Sequence, residues 1–437
     1  MKIKKQAAPV LILLLLLNSC SSAPQRRVDE LTEQEQFLEA ANNLEEHKKK
    51  LYRNIDKPLY YLDKGMLTHY AGLVGESIEL LQTGERAIEE AYAKSITQEI
   101  GTFLVNDNVR EYDGEDYEDI YINTFNALNY YHQGDMEAAL VEIRRMNNKI
   151  RYLSTKYGTA VSNLQRYALE NGTEIPPSDT GNMQFSDSAL ARYLGLLFYR
   201  GERLFDDARI DREGLKLAFA NSPSVYNYPV PASVDGELEI PQGYARLNVI
   251  AFTGLSPVKE AITLRIPIAL TNYVKISLPK MVYRPSRIKE VEILLDGGRR
   301  ERFELLEDIE AVARETFKEK ENMIYIKTVI RAIAKSLATI VWDTAANEAE
   351  DGVASLVFSI LGLSNRIYAE ASEQADLRVS RYFPGKAWIC GVNLLPGIYS
   401  FTVNYLDPSG GIVASSRYED VIVLRNQLNL TETICLQ

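Results

Sequence analysis

The stretch NSPSVYNYPVPASVDGELEIPQG, residues 221–243, decides how the chain is divided. It contains Pro223, Pro229, Pro231 and Pro241, and a proline inside a helix removes a backbone donor and clashes with the preceding turn. Ser, Asn and Gly occupy many of the other positions, as they do in turns. We therefore expect a linker that ends a helical N-terminal half and precedes a β-rich C-terminal half.

Upstream of the linker, apolar residues recur every three or four positions over 31–220, which is the period of helices. Two stretches share a five-residue step between small residues, from Gly72 to Ser77 and from Gly134 to Ala139. In this pattern, which resembles tetratricopeptide repeats, we expect glycine in the turn between two antiparallel helices and small residues where the helices touch. We predict a tetratricopeptide-like all-α domain, and a non-repeating helical bundle is the alternative.

Downstream of the linker, the hydrophobic period changes to two, which is typical of strands. Strands are expected over 244–306, with a hairpin turn at residues 296–298, and again over 374–437. Together they predict an antiparallel β-sandwich. Residues 307–373 have a helical period and are expected to form an insertion that lies across the sheet. The fold class is therefore α+β with several domains.

Length and composition exclude several classes of protein. The 437 residues correspond to two or three ordinary domains. With 46% hydrophobic and 25% charged residues, the chain resembles folded proteins rather than disordered or polytopic membrane chains. A formal net charge of -11 repels phosphate backbones, so we expect no nucleic-acid partner.

The first twenty residues have the order of an export signal. Three lysines within the first five residues precede an apolar run over 10–17, which is too short to span a bilayer. Cys20 follows, and its position resembles the lipobox of bacterial lipoproteins, in which the cysteine is acylated after cleavage. We expect a signal peptide over 1–19 and an anchor linker over 20–30.

Acylation of Cys20 would hold the protein at a membrane lipid surface, because two or more acyl chains give stable anchoring. Ser21 rather than Asp follows the cysteine. By the retention rule of such lipoproteins, this favours the outer membrane, and we expect the chain to face the periplasm.

The densest polar cluster lies in the helical half, and two interpretations of it stay open. One is a turn at Asp113-Gly114 followed by acidic residues in the first turn of a helix, where the helix dipole favours them. The other is a partner-recognition loop on a rigid scaffold. The residues proposed to contact a partner are Asn106, Asp107, Asn108, Arg110, Tyr112, Asp113, Glu115 and Tyr117.

The sequence carries no motif for catalysis or for a cofactor. The three histidines His47, His69 and His132 are not spaced as metal ligands, and the cluster lacks the pattern of a calcium loop. A nucleophile elbow and a phosphate-binding glycine loop are also missing. We expect no metal, no cofactor and no catalytic residue.

Two cysteines fall in the last group of expected strands, at Cys390 and Cys435. An exported protein meets an oxidising compartment, where two such residues can pair. Buried free thiols are equally ordinary. A disulfide and two free thiols are both left open, because pairing requires neighbouring strands.

Several segments along the chain carry a further resemblance: VNDNVR (105–110), YDGEDYE (112–118), NALNY (126–130), GDMEAALVEIRR (134–145), GLSPVKE (254–260), ADLR (375–378) and LLPGIY (394–399). Together they resemble a widespread family of uncharacterised bacterial lipoproteins with tetratricopeptide-like N-terminal halves. The resemblance covers most of the chain after the signal and implies the same fold, with no catalytic residues to carry over.

These observations predict a non-enzymatic, membrane-anchored scaffold whose helical half binds an unidentified periplasmic protein or peptide. A cell-wall (peptidoglycan) enzyme, or a regulator of a cell-wall synthase, is the first alternative, because several carboxylates cluster over 113–119. A structural component of the envelope is the second alternative.

Overall fold

The computed structural model of the protein describes residues 23–97, 107–170, 175, 183–267, 273–343 and 374–437. Cys20 and Asn106 lie outside these residues. Within the described part of the chain, no helix combines the length and the apolar character needed to cross a membrane.

The described part of the N-terminal half is helical. Polar caps begin some of these helices: the Asp135 carboxylate accepts a hydrogen bond from the Ala138 amide at 2.9 Å, and the Ser188 hydroxyl accepts one from the Ala191 amide at 3.1 Å. The helices are α1 (Ala23–Glu33), α2 (Phe37–Glu46), α3 (Lys48–Leu51), α4 (Lys57–Tyr70), α5 (Val74–Thr97), α6 (Asp116–His132), α7 (Met136–Lys156), α8 (Gly158–Glu170), α9 (Ala189–Gly201) and α10 (Phe205–Asn221).

Small residues lie where the helices approach each other. Gly72 and Gly134 occupy the turns after α4 and α6 with φ values of +73° and +79°, which favour glycine. In α4, a Cβ atom on Gly65 would lie 2.7 Å from the side chain of Leu81 in α5. The Ser77 hydroxyl donates to the Gly65 carbonyl at 2.8 Å. The expected placement of glycine in the turns and of small residues at the helix contact is confirmed.

The described part of the C-terminal half contains ten strands and one long helix. The strands are β1 (Ala245–Leu255), β2 (Val258–Pro267), β3 (Tyr273–Val282), β4 (Glu290–Leu295), β5 (Arg300–Arg302), β6 (Glu304–Asp308), β7 (Pro384–Leu394), β8 (Gly397–Leu406), β9 (Ile412–Val423) and β10 (Asn429–Cys435). The helix α11 spans Ile309–Asp343.

The strands form three sheets, with the orders β10-β1-β7-β6, β2-β3 and β5-β4-β8-β9. Most neighbouring strands are antiparallel, as expected. The pair β1 and β10 is parallel, with Leu247 opposite Asn429 and Thr253 opposite Cys435, so a purely antiparallel arrangement is wrong at this pair. After β9, the chain crosses to the other sheet, where β10 pairs with β1. The residues of β10 alone do not specify β1 as the partner strand.

The strand β1 is buried on both faces. Leu247 and Val249 join a core with β4, β7 and β8. Ile250 and Phe252 point the other way and join the core of the helices. The sheet that contains β1 therefore lies between the helical half and the sheet that contains β4.

The segment 221–243 separates helices from strands, as expected, and is itself packed against the protein. Val225 and Val234 are buried in the core shared by helices and sheet, and residues Ala232–Glu237 form a 3-10 helix. The helical half and the strands are thus joined through a common core rather than through the chain alone.

The expected helical insertion begins slightly later than its period indicates. Strand β6 ends at Asp308, whose carboxylate accepts a hydrogen bond from the Ala311 amide at 3.0 Å and caps α11. This helix contacts β3 and the helices α6 and α8. Residues 344–373 of the expected insertion lie outside the described residues.

Candidate functional site

The cluster proposed for partner recognition faces inward over much of its length. Tyr112, Glu115 and Tyr117 are at most 2% exposed. Gly114 has a φ of +75°, and α6 begins at Asp116 with three acidic residues in its first turn. The acidic start of the helix is confirmed, whereas Asp113 and Gly114 are in irregular backbone rather than in a defined turn. The expectation that these three side chains lie on a surface loop is wrong.

Two lysines from distant parts of the chain explain this burial. The Lys320 ammonium of α11 contacts an Asp113 oxygen at 2.9 Å, the Gly114 carbonyl at 2.6 Å and a Glu115 oxygen at 3.3 Å. The Lys259 ammonium of β2 contacts the same Glu115 oxygen at 2.8 Å. Burial alone would raise the pKa of Asp113, but the charge of Lys320 outweighs it and holds that pKa below its usual range.

Glu118 is fully buried beside this ion-pair cluster. Its carboxylate accepts hydrogen bonds from the Tyr112 hydroxyl at 2.7 Å, the Glu115 amide at 2.9 Å and the Ser380 amide at 2.5 Å. Burial, assisted by the neighbouring Glu115 charge, raises the pKa of Glu118 to about 7. The three donors fix the carboxylate in the interior, away from solvent.

The remaining residues of the proposed loop hold the segment that precedes β7. Arg378 donates to the backbone carbonyls of Arg110 at 2.9 Å and Asp107 at 2.7 Å. The Asn108 amide donates to the carbonyls of Gln374 and Ala375 at 2.9 and 3.2 Å. The described residues of the proposed loop therefore join the helices to the C-terminal half.

A second junction, which the sequence did not predict, brings two histidines together. His69 of α4 and His132 of α6 contact opposite oxygens of Glu432 in β10, at 3.2 and 2.6 Å. The other ring nitrogen of His69 lies 2.7 Å from the Asn129 side chain. Glu432 is 300 residues from His132 in sequence, so spacing gave no signal. No group of His, Cys, Asp or Glu among the described residues forms a metal site.

Cys390 and Cys435 are free and buried. Their strands β7 and β10 flank β1 on opposite sides, where Cys390 is opposite Val249 and Cys435 is opposite Thr253. Strands two positions apart in a sheet are separated by about 10 Å, which is too far for a disulfide. The disulfide left open by the sequence is not formed.

An accessible recess lies on the helical half between α5, α6 and α7, and we call it the α5–α7 groove. It has a volume of about 170 Å³. Its lining residues come from all three helices: Ile88, Glu89, Tyr92, Asp116, Asp119, Ile120, Lys149, Tyr152, Leu153 and Lys156.

Charged pairs flank the groove and fix the spacing of its helices. The Lys149 ammonium lies 2.5 Å from Glu85 and 2.6 Å from Asp119. The Lys156 ammonium lies 2.7 Å from Asp116 and 4.6 Å from the centre of the Tyr92 ring. Burial would lower the pKa of Lys149, but the two carboxylates outweigh it and raise that pKa. Both lysines therefore remain charged.

The rim of the groove offers groups that a partner can contact. The Tyr152 side chain is 55% exposed, and exposed tyrosines are enriched in protein interfaces. Glu89 is exposed and forms no ion pair within the described part of the chain. Below them, Ile88 and Leu153 form an apolar floor. This combination suits an apolar side chain with a basic neighbour, as found in an extended peptide.

No family model, curated protein or solved structure matches the chain. The resemblance to the lipoprotein family stays a prediction from the sequence. Function is therefore inferred below from the surfaces and charges of the chain itself.

Proposed function

We propose that the protein is a membrane-anchored periplasmic lipoprotein whose helical half binds an extended segment of another protein. The observation that supports this best is the α5–α7 groove, with its apolar floor, its exposed Tyr152 and an exposed Glu89 that no lysine or arginine of the described residues pairs with. The groove replaces the loop first proposed from the sequence, because Tyr112, Glu115 and Tyr117 are buried.

We further propose that the helical half is tetratricopeptide-like. Its support is the pairing of α4 with α5 and of α6 with α7, each pair joined by a turn with glycine in a left-handed conformation. Stacked helix pairs of this kind present continuous surfaces to extended segments. For the C-terminal half we propose a β-sandwich, because alternate residues of β1 and β7 share a core with those of β4 and β8.

The alternative of a cell-wall enzyme loses its main support. Glu115, Asp116 and Glu118 are buried and hydrogen-bonded or paired with lysines and tyrosines. A carboxylate pair must reach the scissile bond of its substrate. Glu115 and Glu118 are enclosed in the interior, and the Asp116 carboxylate, which lines the α5–α7 groove, is paired with Lys156. Regulation of a synthase and a structural role in the envelope both remain compatible with a scaffold.

Groove binding predicts a position-dependent crosslink. A photoreactive residue at position 152 of the full-length protein should capture one discrete protein in cells. The same residue at position 283, where Tyr283 is 43% exposed and outside the groove, should not capture it. Mass spectrometry of the membrane fraction identifies the captured protein.

With that protein purified, Tyr152→Ala should weaken its binding about thirtyfold, as expected for a tyrosine that carries much of an interface's binding energy. Glu89→Lys should also weaken it, because the rim would then repel a basic segment. Tyr283→Ala is the matched control and should bind like the wild type. Equal capture at positions 152 and 283, or unchanged affinity of both groove variants, would contradict the proposal.

Membrane anchoring predicts a separate result for the N-terminal cysteine. Cys20→Ser should move the protein from the membrane fraction to the soluble fraction, because acylation requires the thiol. Intact mass measurement should find two or three acyl chains on the wild type and none on the variant. Ser21→Ala is the control and should remain acylated. A Cys20→Ser protein that still sediments with membranes would show that anchoring has another cause.

A further inference from the structure

A cavity of about 300 Å³ lies where the turn between α9 and α10, residues 237–246 and the turn between β9 and β10 meet. We call it the arginine pocket, because Arg200, Arg203, Arg246 and Arg425 line it. Glu237 is the one carboxylate among the described residues that line it. We propose that this pocket binds a small soluble molecule through its carboxylate or phosphate group.

The inner wall of the arginine pocket has an excess of buried positive charge. Glu237 is paired with both Arg200 and Arg246, and its contact with Arg246 is 2.9 Å. The three side chains are at most 6% exposed. Two buried guanidinium groups thus share a single carboxylate.

Among the described residues, the other partners of these two arginines are neutral. Arg200 donates to the Asn248 side chain at 2.7 Å, and Arg246 donates to the Asn393 side chain at 3.0 Å and the Ser233 carbonyl at 2.9 Å. A buried charge without a counter-charge is costly. An anion in the pocket would offset that cost.

Two glycines make room for the Arg246 side chain. A Cβ atom at position 391 would lie 2.1 Å from a terminal nitrogen of Arg246, and one at position 236 would lie 3.2 Å from both terminal nitrogens. Side chains at either position would displace the guanidinium. The glycines at positions 236 and 391 thus permit a buried arginine at this position of β1.

The outer wall of the pocket carries further positive charge. Arg203 and Arg425 are exposed, and neither side chain has an ion-pair or hydrogen-bond partner within the described part of the chain. Arg203 also has a φ of +61°, in the left-handed region that favours glycine or asparagine at the end of a helix. An arginine at this position lowers stability, and such strain tends to be kept at functional sites.

These features specify the chemistry of the ligand. Planar guanidinium groups bind carboxylates and phosphates with paired hydrogen bonds. Phe205 and Tyr244 line the same cavity and are 58% and 41% exposed, so a ring or an apolar part of the ligand can lie against them. The volume is at the lower end of small-molecule sites. A sugar phosphate or a sugar acid has this combination of charge, ring and size.

Isothermal titration of the purified protein tests the proposal with glucose 6-phosphate and glucuronate as probes. Both should bind, and glucose should not, because it lacks the anionic group. Arg425→Gln should weaken binding about tenfold, as expected for the loss of one charged contact. Arg86→Gln, at an exposed arginine of α5 outside the pocket, is the matched control and should bind like the wild type.

Arg203→Gly separates binding from folding. The variant should raise the melting temperature, because glycine relieves the left-handed strain, and it should weaken binding of the anionic probes about tenfold. The proposal would be overturned if neither glucose 6-phosphate nor glucuronate bound at millimolar concentration. Equal binding of glucose, or an unchanged affinity of both pocket variants, would also overturn it.

Discussion

Glu307→Ala is expected to lower the free energy of unfolding by about 5 kcal/mol, because one buried carboxylate satisfies several donors at once. Glu307 is fully buried at the end of β6. It accepts hydrogen bonds from the hydroxyls of Ser188 at 2.8 Å and Tyr226 at 2.6 Å, from the Leu190 amide at 3.2 Å and from the Tyr121 hydroxyl. Each buried donor left unpaired costs about 1–3 kcal/mol.

The donors belong to α6, to the start of α9 and to the segment 221–243, so the carboxylate joins the helical half to the sheet. Burial raises the pKa of Glu307, since no lysine or arginine of the described residues pairs with it. Because the pKa of Glu307 is higher in the folded than in the unfolded protein, the contribution of Glu307 to stability is complete below the unfolded pKa of about 4.5. It declines as the pH rises through the folded pKa. The loss caused by Glu307→Ala should therefore be larger at pH 5 than at pH 8.

Urea unfolding followed by circular dichroism measures this loss. Glu301→Ala is the matched control, because Glu301 lies in β5, three residues before β6 begins to pair with β7, and its side chain is 41% exposed. It should change the unfolding free energy by about 0.5 kcal/mol or less. Tyr226→Phe, which removes one donor, should cost about 1 kcal/mol. A loss below 1 kcal/mol for Glu307→Ala would show that the donors find other acceptors.

The role of Glu307 also marks the limit of what the sequence predicts. Glu307 is the first residue of the segment 307–373, whose predicted helix is confirmed over Ile309–Asp343. Hydrophobic periodicity and turn residues are properties of neighbouring positions. They therefore predict helices, strands and the Asp296-Gly297-Gly298 turn between β4 and β5. They do not predict which distant side chains supply the donors to a buried carboxylate.

The acidic cluster illustrates the same limit for the candidate site. The carboxylates of Asp113 and Glu115 look like exposed charges in the sequence, because charged residues are mostly at the surface. The burial of Glu115 and the partial burial of Asp113 depend on Lys320, more than 200 residues later, which pairs with both. A single sequence carries no record of that contact. The α5–α7 groove, which replaces this cluster as the candidate binding site, also could not be predicted from the sequence, since it depends on the spacing of three helices.

The junction of two histidines with Glu432 predicts a strong dependence of stability on acid. Burial would raise the pKa of Glu432, but His69 and His132 outweigh it and hold that pKa at about 2. Because the folded pKa lies below the unfolded value of about 4.5, the stabilisation is complete above pH 4.5 and is lost as the pH falls towards 2. The difference corresponds to about 3 kcal/mol.

His132 has the opposite dependence. Its own burial would lower its pKa, but the Glu432 carboxylate outweighs this and raises it. The contribution of a raised histidine is complete below its unfolded pKa of about 6.5 and is lost as the pH rises through the folded pKa. The junction should therefore stabilise the protein most between about pH 4.5 and 6.5, where both the carboxylate and the His132 imidazolium are charged.

Unfolding free energies measured from pH 2 to 8 test this for the wild type and Glu432→Gln. The wild type should lose about 3 kcal/mol more than the variant between pH 4.5 and 2. Glu419→Gln, at a carboxylate that is 73% exposed in β9, should follow the wild type. Parallel curves for the wild type and Glu432→Gln would contradict the assignment. If the curves of the wild type and Glu432→Gln diverge as expected, β10 is held to the helices by an ion pair that requires both partners to be charged. Acid should then release β10 before the other strands of its sheet unfold.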